Sequence, residues 1–237
     1  MRISVIIPAF NEENYLPRCL EHCLRHRSDN VHEVLVVDNA CTDRTAEIAR
    51  SFPGVRVIHE PRKGLTKARQ CGFLHSDGDL LAFIDADTHV PSHWFTMVNQ
   101  EFQKNPLLVA LSGPYRYYDT TKLNAACAHL FQMVLGMPAY MMTKYMIMGG
   151  NFVVRRSAIE QIGGFDETIA FYGEDTNIAR RLHAVGKVKF RPRFYAYSSA
   201  RRFESDGIVK TGALYAANYL SEATFRRPAT RTYRDHR

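Results

Sequence analysis

The chain has 237 residues, enough for one large domain or two small ones with a sizeable core. With 46% hydrophobic and 23% charged residues, its composition excludes a disordered, collagenous or low-complexity protein. The formal net charge of +7 favours anionic partners such as nucleotides, diphosphates, nucleic acid or an anionic membrane.

Strand-like and helix-like runs alternate through the first half. Residues 4–7 (SVII) read as a strand and residues 13–26 as a helix. Strands over 34–37 and 55–58 then alternate with helices over 42–51 and 65–75, and the apolar run 80–84 follows. These runs are apolar without clean alternation, as in parallel strands buried on both faces. The order predicts a doubly wound α/β sheet. Ligands of such sheets bind beyond the carboxyl ends of the strands, which brings the loops 8–12, 38–42 and 85–88 together. The first strand begins almost at once, so no signal peptide is expected. Cys19, Cys23, Cys41, Cys71 and Cys127 form no CxxC and read as reduced thiols of a cytosolic protein.

The second half is less regular. Residues 107–111 read as a strand and 115–118 as its extension. The segment 123–148 holds six of the eight methionines. His129, Gln132, Gly136, Pro138 and Lys144 interrupt it, so no segment is expected to qualify as a transmembrane helix. Met133, Met137 and Met141 follow at i, i+4 and i+8. Such a stripe either packs into a core or touches lipid or a greasy acceptor. Strands over 151–154, 188–190 and 194–198 and helices over 157–162 and 174–185 complete the expected elements.

Asp85-Ala86-Asp87 ends the apolar run 80–84. Residues i and i+2 of an extended chain point to one side. Two carboxylates placed so repel each other unless a cation sits near them. Hard oxygen ligands suit Mg²⁺ or Mn²⁺, which also hold phosphates. Taken alone, the tripeptide reads first as a solvated strand-to-loop turn. Asp38 directly follows the second strand, where an acid commonly meets a ribose hydroxyl. Neither GxGxxG nor GxxxxGK[ST] occurs, which argues against a dinucleotide fold and a P-loop. Lys63, Lys67 and Arg69 put cations at a loop-to-helix junction near the same edge. Glu174-Asp175 opens a helix, where acids are favoured whatever their function.

In chain order, SVIIPAFNEE, VVDNACTDRT, GLTKARQCG, FIDADTHVPSHW, GGNFVVRRSAIEQIGGFDE and YGEDTNIARRL resemble the motifs of the family 2 glycosyltransferases, over residues 3–203. The resemblance implies a GT-A fold: a Rossmann-like, mostly parallel sheet with helices on both faces, fused to a smaller acceptor half. One domain is expected over residues 1–225, with the nucleotide-sugar half at 1–112 and the acceptor half at 113–225. Residues 226–237 are expected to form a basic, mobile tail.

By the same resemblance, Pro8, Ala9, Phe10 and Glu12 line the nucleotide pocket and Asp38 contacts the base or ribose. Lys67 and Arg69 reach the base or phosphates. Asp85-Ala86-Asp87 matches the metal and diphosphate motif, with Asp87 the more direct metal ligand. Gly149, Gly150 and Asn151 match the loop beside the donor sugar and acceptor. Asp175, next to Glu174, matches the general base of an inverting transfer. Gln70 stands where the family often has Asn, and the QxxRW of processive synthases is absent. Arg201 and Arg202 stand in its place, and paired guanidiniums suit a diphosphate. The implied function is transfer of one sugar, dependent on Mn²⁺ or Mg²⁺, from a nucleotide sugar (a UDP-sugar favoured) to a glycan or lipid-linked acceptor. The implied place is the cytoplasm, with peripheral contact to a membrane face. The alternative is a nucleotide-sugar-binding protein without turnover, against which both acidic motifs count. No recognised motif organises the basic residues for nucleic acid, so no such partner is expected.

Overall fold

The structure, a computed structural model, describes residues 1–169 and 171–230. Its first half alternates as the sequence predicts: β1 (Ile3–Ala9), α1 (Leu16–His26), β2 (Val31–Asp38), α2 (Thr45–Ser51), β3 (Val55–His59), α3 (Leu65–His75) and β4 (Leu80–Ile84). Every residue of β1 and β4 is buried. Alternate residues serve opposite faces. Ile3, Val5 and Ile7 pack with Leu16, Cys19 and Leu20 of α1. Ile6 packs with Ala68 and Cys71 of α3. β1 pairs in parallel with β2 on one side and β4 on the other, Ile6 lying opposite Leu35 and Phe83. The winding reverses between β1 and β4, and a crevice opens where their following loops diverge.

Beyond β4 the chain departs from the simple pattern. β5 (Thr88–His89) leads to α4 (Trp94–Lys104), a helix absent from the sequence expectation. Trp94, Phe95, Val98 and Phe102 of α4 join the core on the α1 face. β6 (Leu108–Ser112) is followed by β7 (Tyr115–Tyr117), which is not its extension. Gly113 sits against the Phe194 carbonyl, closer than any Cβ could come. There the chain leaves the main sheet, and β7 joins β5 and β10 (Ala196–Ser198) in a three-stranded sheet. β8 (Asn151–Arg155) enters the main sheet antiparallel between β4 and β6, and β9 (Lys187–Phe190) closes it, in the order β3-β2-β1-β4-β8-β6-β9. The remaining helices are α5 (Lys122–Phe131), a π-helical turn (Gln132–Gly136), α6 (Met137–Thr143), α7 (Arg156–Gln161), α8 (Glu174–His183), α9 (Arg201–Asp206) and α10 (Ile208–Phe225).

Two expectations change here. The segment Lys122–Thr143 forms one helical run of 22 residues that contains an 18-residue window of mean hydropathy 1.2, long and apolar enough to cross a membrane by those measures. Gly136 and Pro138 do not interrupt it, because the π turn absorbs the proline at the start of α6. The methionine stripe is not core: Met133 and Met137 are half-buried and Met141 is exposed. The 18 residues of α10 also lie where no element is expected. After it, Thr230 donates from its amide and hydroxyl to Asn218 Oδ1, both at 3.1 Å. The rest of the expected tail, residues 231–237, lies outside the described residues.

Asn151 and Ala9 belong to the core rather than to a ligand pocket. Ala9 is packed within the α1 face. Asn151 is fully buried. Its Oδ1 accepts from Trp94 Nε1 at 2.9 Å, and its Nδ2 donates to the carbonyls of Gly113 and Phe194 at 3.1 and 2.9 Å. One amide thus ties α4, β8 and the approaches to β7 and β10. Asn151→Ala leaves these buried partners unpaired and is expected to cost about 2–4 kcal/mol, read from urea midpoints. Unchanged stability with weakened donor binding would return Asn151 to the pocket.

Candidate active site

A cavity of about 410 Å³ opens beyond the carboxyl ends of β1 and β4. Of the residues expected at a site, Pro8, Glu12, Arg69, Asp85, Ala86, Asp87, Gly149, Glu174, Asp175, Arg201 and Arg202 all line it. Phe10, Asp38 and Lys67 stand outside its wall. Phe10 lies under Lys63 Nζ, 3.8 Å from the ring centroid. Asp38 accepts from the Cys41 amide at 3.0 Å and faces His59 Nδ1 at 3.0 Å. Burial pushes the Asp38 pKa up, but the Cys41 amide and thiol and His59 outweigh it and hold the carboxyl below its usual range. Asn39, next in the chain, donates to the carbonyls of Glu60 and Arg62 and accepts from the Gly64 amide, which pins the loop carrying Lys63.

Arg69 organises the floor. Its side chain is 1% exposed. Nη1 donates to Glu174 Oε1 at 3.0 Å and Nη2 to Asp85 Oδ1 at 3.1 Å. Gly149 and Gly150 pass over this triad. A Cβ on Gly149 would stand 2.8 Å from Arg69 Nη2, and one on Gly150 would overlap the Asp85 carboxylate. The Gly150 amide donates to Tyr115 Oη at 2.6 Å, and the Tyr115 amide donates to Gln132 Oε1 in the π turn at 3.1 Å. Tyr115 is a wall residue that the sequence reading does not identify.

Arg201 organises the opposite wall. It meets Glu12 with both Nη atoms, at 2.9 and 2.6 Å, and Nη2 lies 2.9 Å from Asp87 Oδ2. Arg202 stacks over Phe171 at 4.3 Å and donates to Tyr215 Oη at 2.5 Å. A positive charge therefore already stands at Asp87, and the donors beside it are carboxylate oxygens. This suits a hard divalent cation, with Asp85 and Asp87 as the residues to hold it. Among the described residues, no group of three or more His, Cys, Asp or Glu forms a complete cage. The rest of a cation's shell is thus left to diphosphate oxygens and water.

Glu174 and Asp175 occupy the first turn of α8, after Gly173 at φ 87°. Burial raises the Glu174 pKa and the Asp175 charge adds to it, while Arg69 opposes the rise. Burial also raises Asp175, held back by the Thr176 amide and by Arg69. The Thr176 amide and hydroxyl both donate to Asp175 Oδ1, at 2.7 and 3.4 Å. The other oxygen, Oδ2, has no hydrogen-bond partner among the described residues.

Away from these charges the wall is mostly apolar. Ala128, Phe131 and Ala139 come from α5, the π turn's flank and α6. Phe171 and Phe203 come from the flanks of α8 and from α9. Tyr215, Ala216 and Tyr219 come from α10. Residues 208–225 carry a helical signal in the inward spacing of Thr211, Tyr215, Asn218, Tyr219 and Glu222. Glu222 is fully buried and accepts from Asn177 Nδ2 and Arg180 Nη2 at 3.0 and 3.1 Å, which docks α10 on α8.

Arg69→Met leaves two carboxylates without their cation, and such a break is expected to cost about 3–5 kcal/mol at pH 9. A carboxyl with a raised pKa in the fold contributes stability below its unfolded pKa and loses it as pH rises through the folded value. Glu174 is already pushed up to about 8 with Arg69 present and rises further without it, so the deficit is expected to be smaller at pH 7 than at pH 9. Urea unfolding at both pH values measures it; equal deficits would show that carboxylate charge is not the cause.

A family model described as glycosyl transferase family 2 matches residues 4–163, and one described as N-terminal domain of galactosyltransferase matches residues 131–204. The probable glycosyltransferase YdaM of Bacillus subtilis is 28% identical over 208 residues, 81% of this chain and 49% of that protein. The mannosyltransferase PcManGT from Pyrobaculum calidifontis, solved in complex with GDP-Man and Mn²⁺, matches with TM-score 0.69 at 18% identity, covering 95% of this chain and 63% of that one. Glucosyl-3-phosphoglycerate synthase from Mycobacterium tuberculosis, solved with Mn²⁺, UDP and glucosyl-3-phosphoglycerate, matches with TM-score 0.66 at 18% identity, covering 94% and 79%. These structures share the fold, a GT-A sheet that is mostly parallel. The matches span about half the length of YdaM and less of other curated relatives. With the sheet, the cavity at its carboxyl edge and the match over residues 4–163 in agreement, the chain belongs to glycosyl transferase family 2.

Proposed function

We propose that the chain transfers one sugar from a nucleotide-sugar donor to an acceptor hydroxyl, with inversion and with Mn²⁺ or Mg²⁺. The observation that carries this reading is one cavity with Glu12, Asp85, Asp87 and Arg201 in one part of its wall and Asp175 in another. The GDP-Man, UDP and Mn²⁺ bound by neighbours of the same fold support it. Those neighbours bind both guanosine and uridine nucleotides, and a UDP-sugar is the first donor to assay.

In this reading the guanidiniums of Arg201 and Arg202 meet diphosphate oxygens, and Asp38, outside the wall, supports the loop at the carboxyl end of β2 through the Cys41 amide and His59. Asp175 takes the proton of the acceptor hydroxyl as the new bond to the anomeric carbon forms and the bond to the diphosphate oxygen breaks. Thr176 holds one oxygen of Asp175 and leaves the other for that hydroxyl. The raised pKa makes Asp175 a stronger base than an ordinary carboxylate. A divalent cation held by Asp85 and Asp87 would offset charge on the leaving diphosphate. No covalent enzyme intermediate is required. The apolar wall of Phe131, Ala139, Phe171 and Phe203 favours a lipid-linked acceptor over a soluble glycan. A peripheral place on the cytoplasmic face of a membrane suits such an acceptor.

A thermal-shift series of nucleoside diphosphates with and without Mn²⁺ tests the donor site, since a ligand of the native state raises the melting temperature. Asp87→Ala is expected to remove the Mn²⁺-dependent part of the shift. Asp175→Asn is expected to lower kcat about 10²–10⁴-fold with donor binding retained. In the wild type, kcat/KM is expected to rise with pH through a value above the ordinary aspartate 3.8. Normal turnover by Asp175→Asn would remove the base assignment.

A further inference from the structure

The inner side of the Lys122–Thr143 segment walls the cavity, while its outer side has no role in the chemistry above. On that outer side Leu123, Leu130, Val134, Met141 and Met142 are 73%, 62%, 57%, 63% and 83% exposed. Their spacing follows one face of a helix, and exposed Ala126, Cys127 and Pro138 fall among them. Single exposed apolar side chains are ordinary on a folded surface, whereas a continuous stripe marks an interaction surface. Phe131 and Leu220 are exposed and also line the cavity, so the cavity rim adjoins this face.

The charges carried by the segment itself and turned outward from α10 are cations, while the exposed Asp119 before the segment is engaged by Ser199 and the Ala200 amide. Residues 122–143 contain no Asp or Glu. Lys122 and Lys144 are exposed at the two ends, and Lys210, Arg226 and Arg227 are exposed on and after α10. The one acid of α10, Glu222, is fully buried against Arg180 and presents no charge outward. Apolar side chains flanked by cations suit a bilayer with anionic headgroups. They do not suit a second copy of the chain, because either orientation of two such segments sets lysine against lysine.

The segment is placed to lie on a bilayer rather than to cross it. Thr121 caps its start, accepting from the Asn124 amide. Gln132 is bonded to the Tyr115 amide in its middle. At its end Thr143 Oγ1 is bonded to Tyr219 Oη of α10 at 2.8 Å. A spanning helix would have to give up all three ties and uncover the cavity.

We propose that the outer face of α5, the π turn and α6 docks the enzyme on a bilayer containing anionic lipid, with Phe131 and Leu220 setting the cavity rim against the headgroups. The consequence for catalysis rests on the lipid-linked acceptor proposed above, while the docking rests on this surface alone. The test is sedimentation of the full chain with phosphatidylcholine vesicles, with or without phosphatidylglycerol at roughly a third of the lipid. Wild type is expected to sediment with the anionic vesicles and to be released by salt. Lys144→Gln is expected to weaken binding about fivefold, the worth of one cation near a charged surface. The double variant Leu130→Glu, Met142→Glu is expected to weaken it more than about tenfold, with melting temperature and nucleotide-sugar hydrolysis unchanged. Wild type that stays in the supernatant, or a double variant that sediments as well as wild type, overturns the docking. So does a concentration-dependent dimer that the double variant abolishes. Vesicle binding without any hydrolysis or transfer of sugar would support the docking and count against the catalytic reading alone.

Discussion

A buried arginine needs its counter-charges where it lies, and Arg69 is 1% exposed. Asp85 meets it from the end of β4 and Glu174 from the start of α8. The cost of an unmatched buried charge, several kcal/mol, is the constraint on which the site depends. β4 belongs to the doubly wound half and α8 to the irregular second half, so one guanidinium fixes the two halves against each other. Asp175 adjoins Glu174, and its place relative to Asp85 is thereby set. The two glycines over the triad follow from the same constraint. A Cβ at Gly149 or Gly150 would push into Arg69 or Asp85, so the chain that covers the ion pairs can carry no side chain there.

The second cation differs in kind. Arg201 is 20% exposed, opens the short helix α9, and shares its charge between Glu12 and Asp87. Asp85 and Asp87 stand two residues apart but have unequal partners: one arginine locked in the core, the other at a wall of the cavity. The counter-ion of Asp87 is the one that ligand chemistry can replace without opening the core. This gives a physical reason for treating Asp87 as the more direct cation ligand, independent of any motif.

The first half was legible because β1, β4 and the second part of β2 are buried on both faces and show continuous apolar runs. The edge strand β3 is only partly covered, and the switch between β1 and β4 follows from the strand order. The acids of the site were legible for the same reason, since each follows a strand or opens a helix that the pattern marks. Asn151 shows the limit. After two glycines it has the look of a ligand loop, yet its partners Trp94, Gly113 and Phe194 come from three distant segments and no local pattern reports them. α10 escaped notice for another reason. Its inward face includes the buried polar residues Thr211, Asn218 and Glu222, and Glu222 finds its partners Asn177 and Arg180 on α8, so an apolar periodicity is not what holds it. β7 could be separated from β6 only by seeing how closely Gly113 approaches Phe194.

The segment Lys122–Thr143 is apolar on both sides, and that is its physical oddity. A helix with an apolar surface all round is at home in a core or in lipid, but only 6% of its apolar window is buried. One side meets a cavity, and the other meets whatever surrounds the protein. With side chains, a helix is about 10–12 Å across, so the thickness of a single helix separates the cavity from the outer stripe. An acceptor carrying both an apolar chain and a hydroxyl needs such an arrangement: a dry wall for the chain, a base for the hydroxyl, and a short passage from one to the other. The proposed lipid-linked acceptor and the proposed bilayer docking draw on opposite sides of the same helix, and each would account for the apolar side it uses.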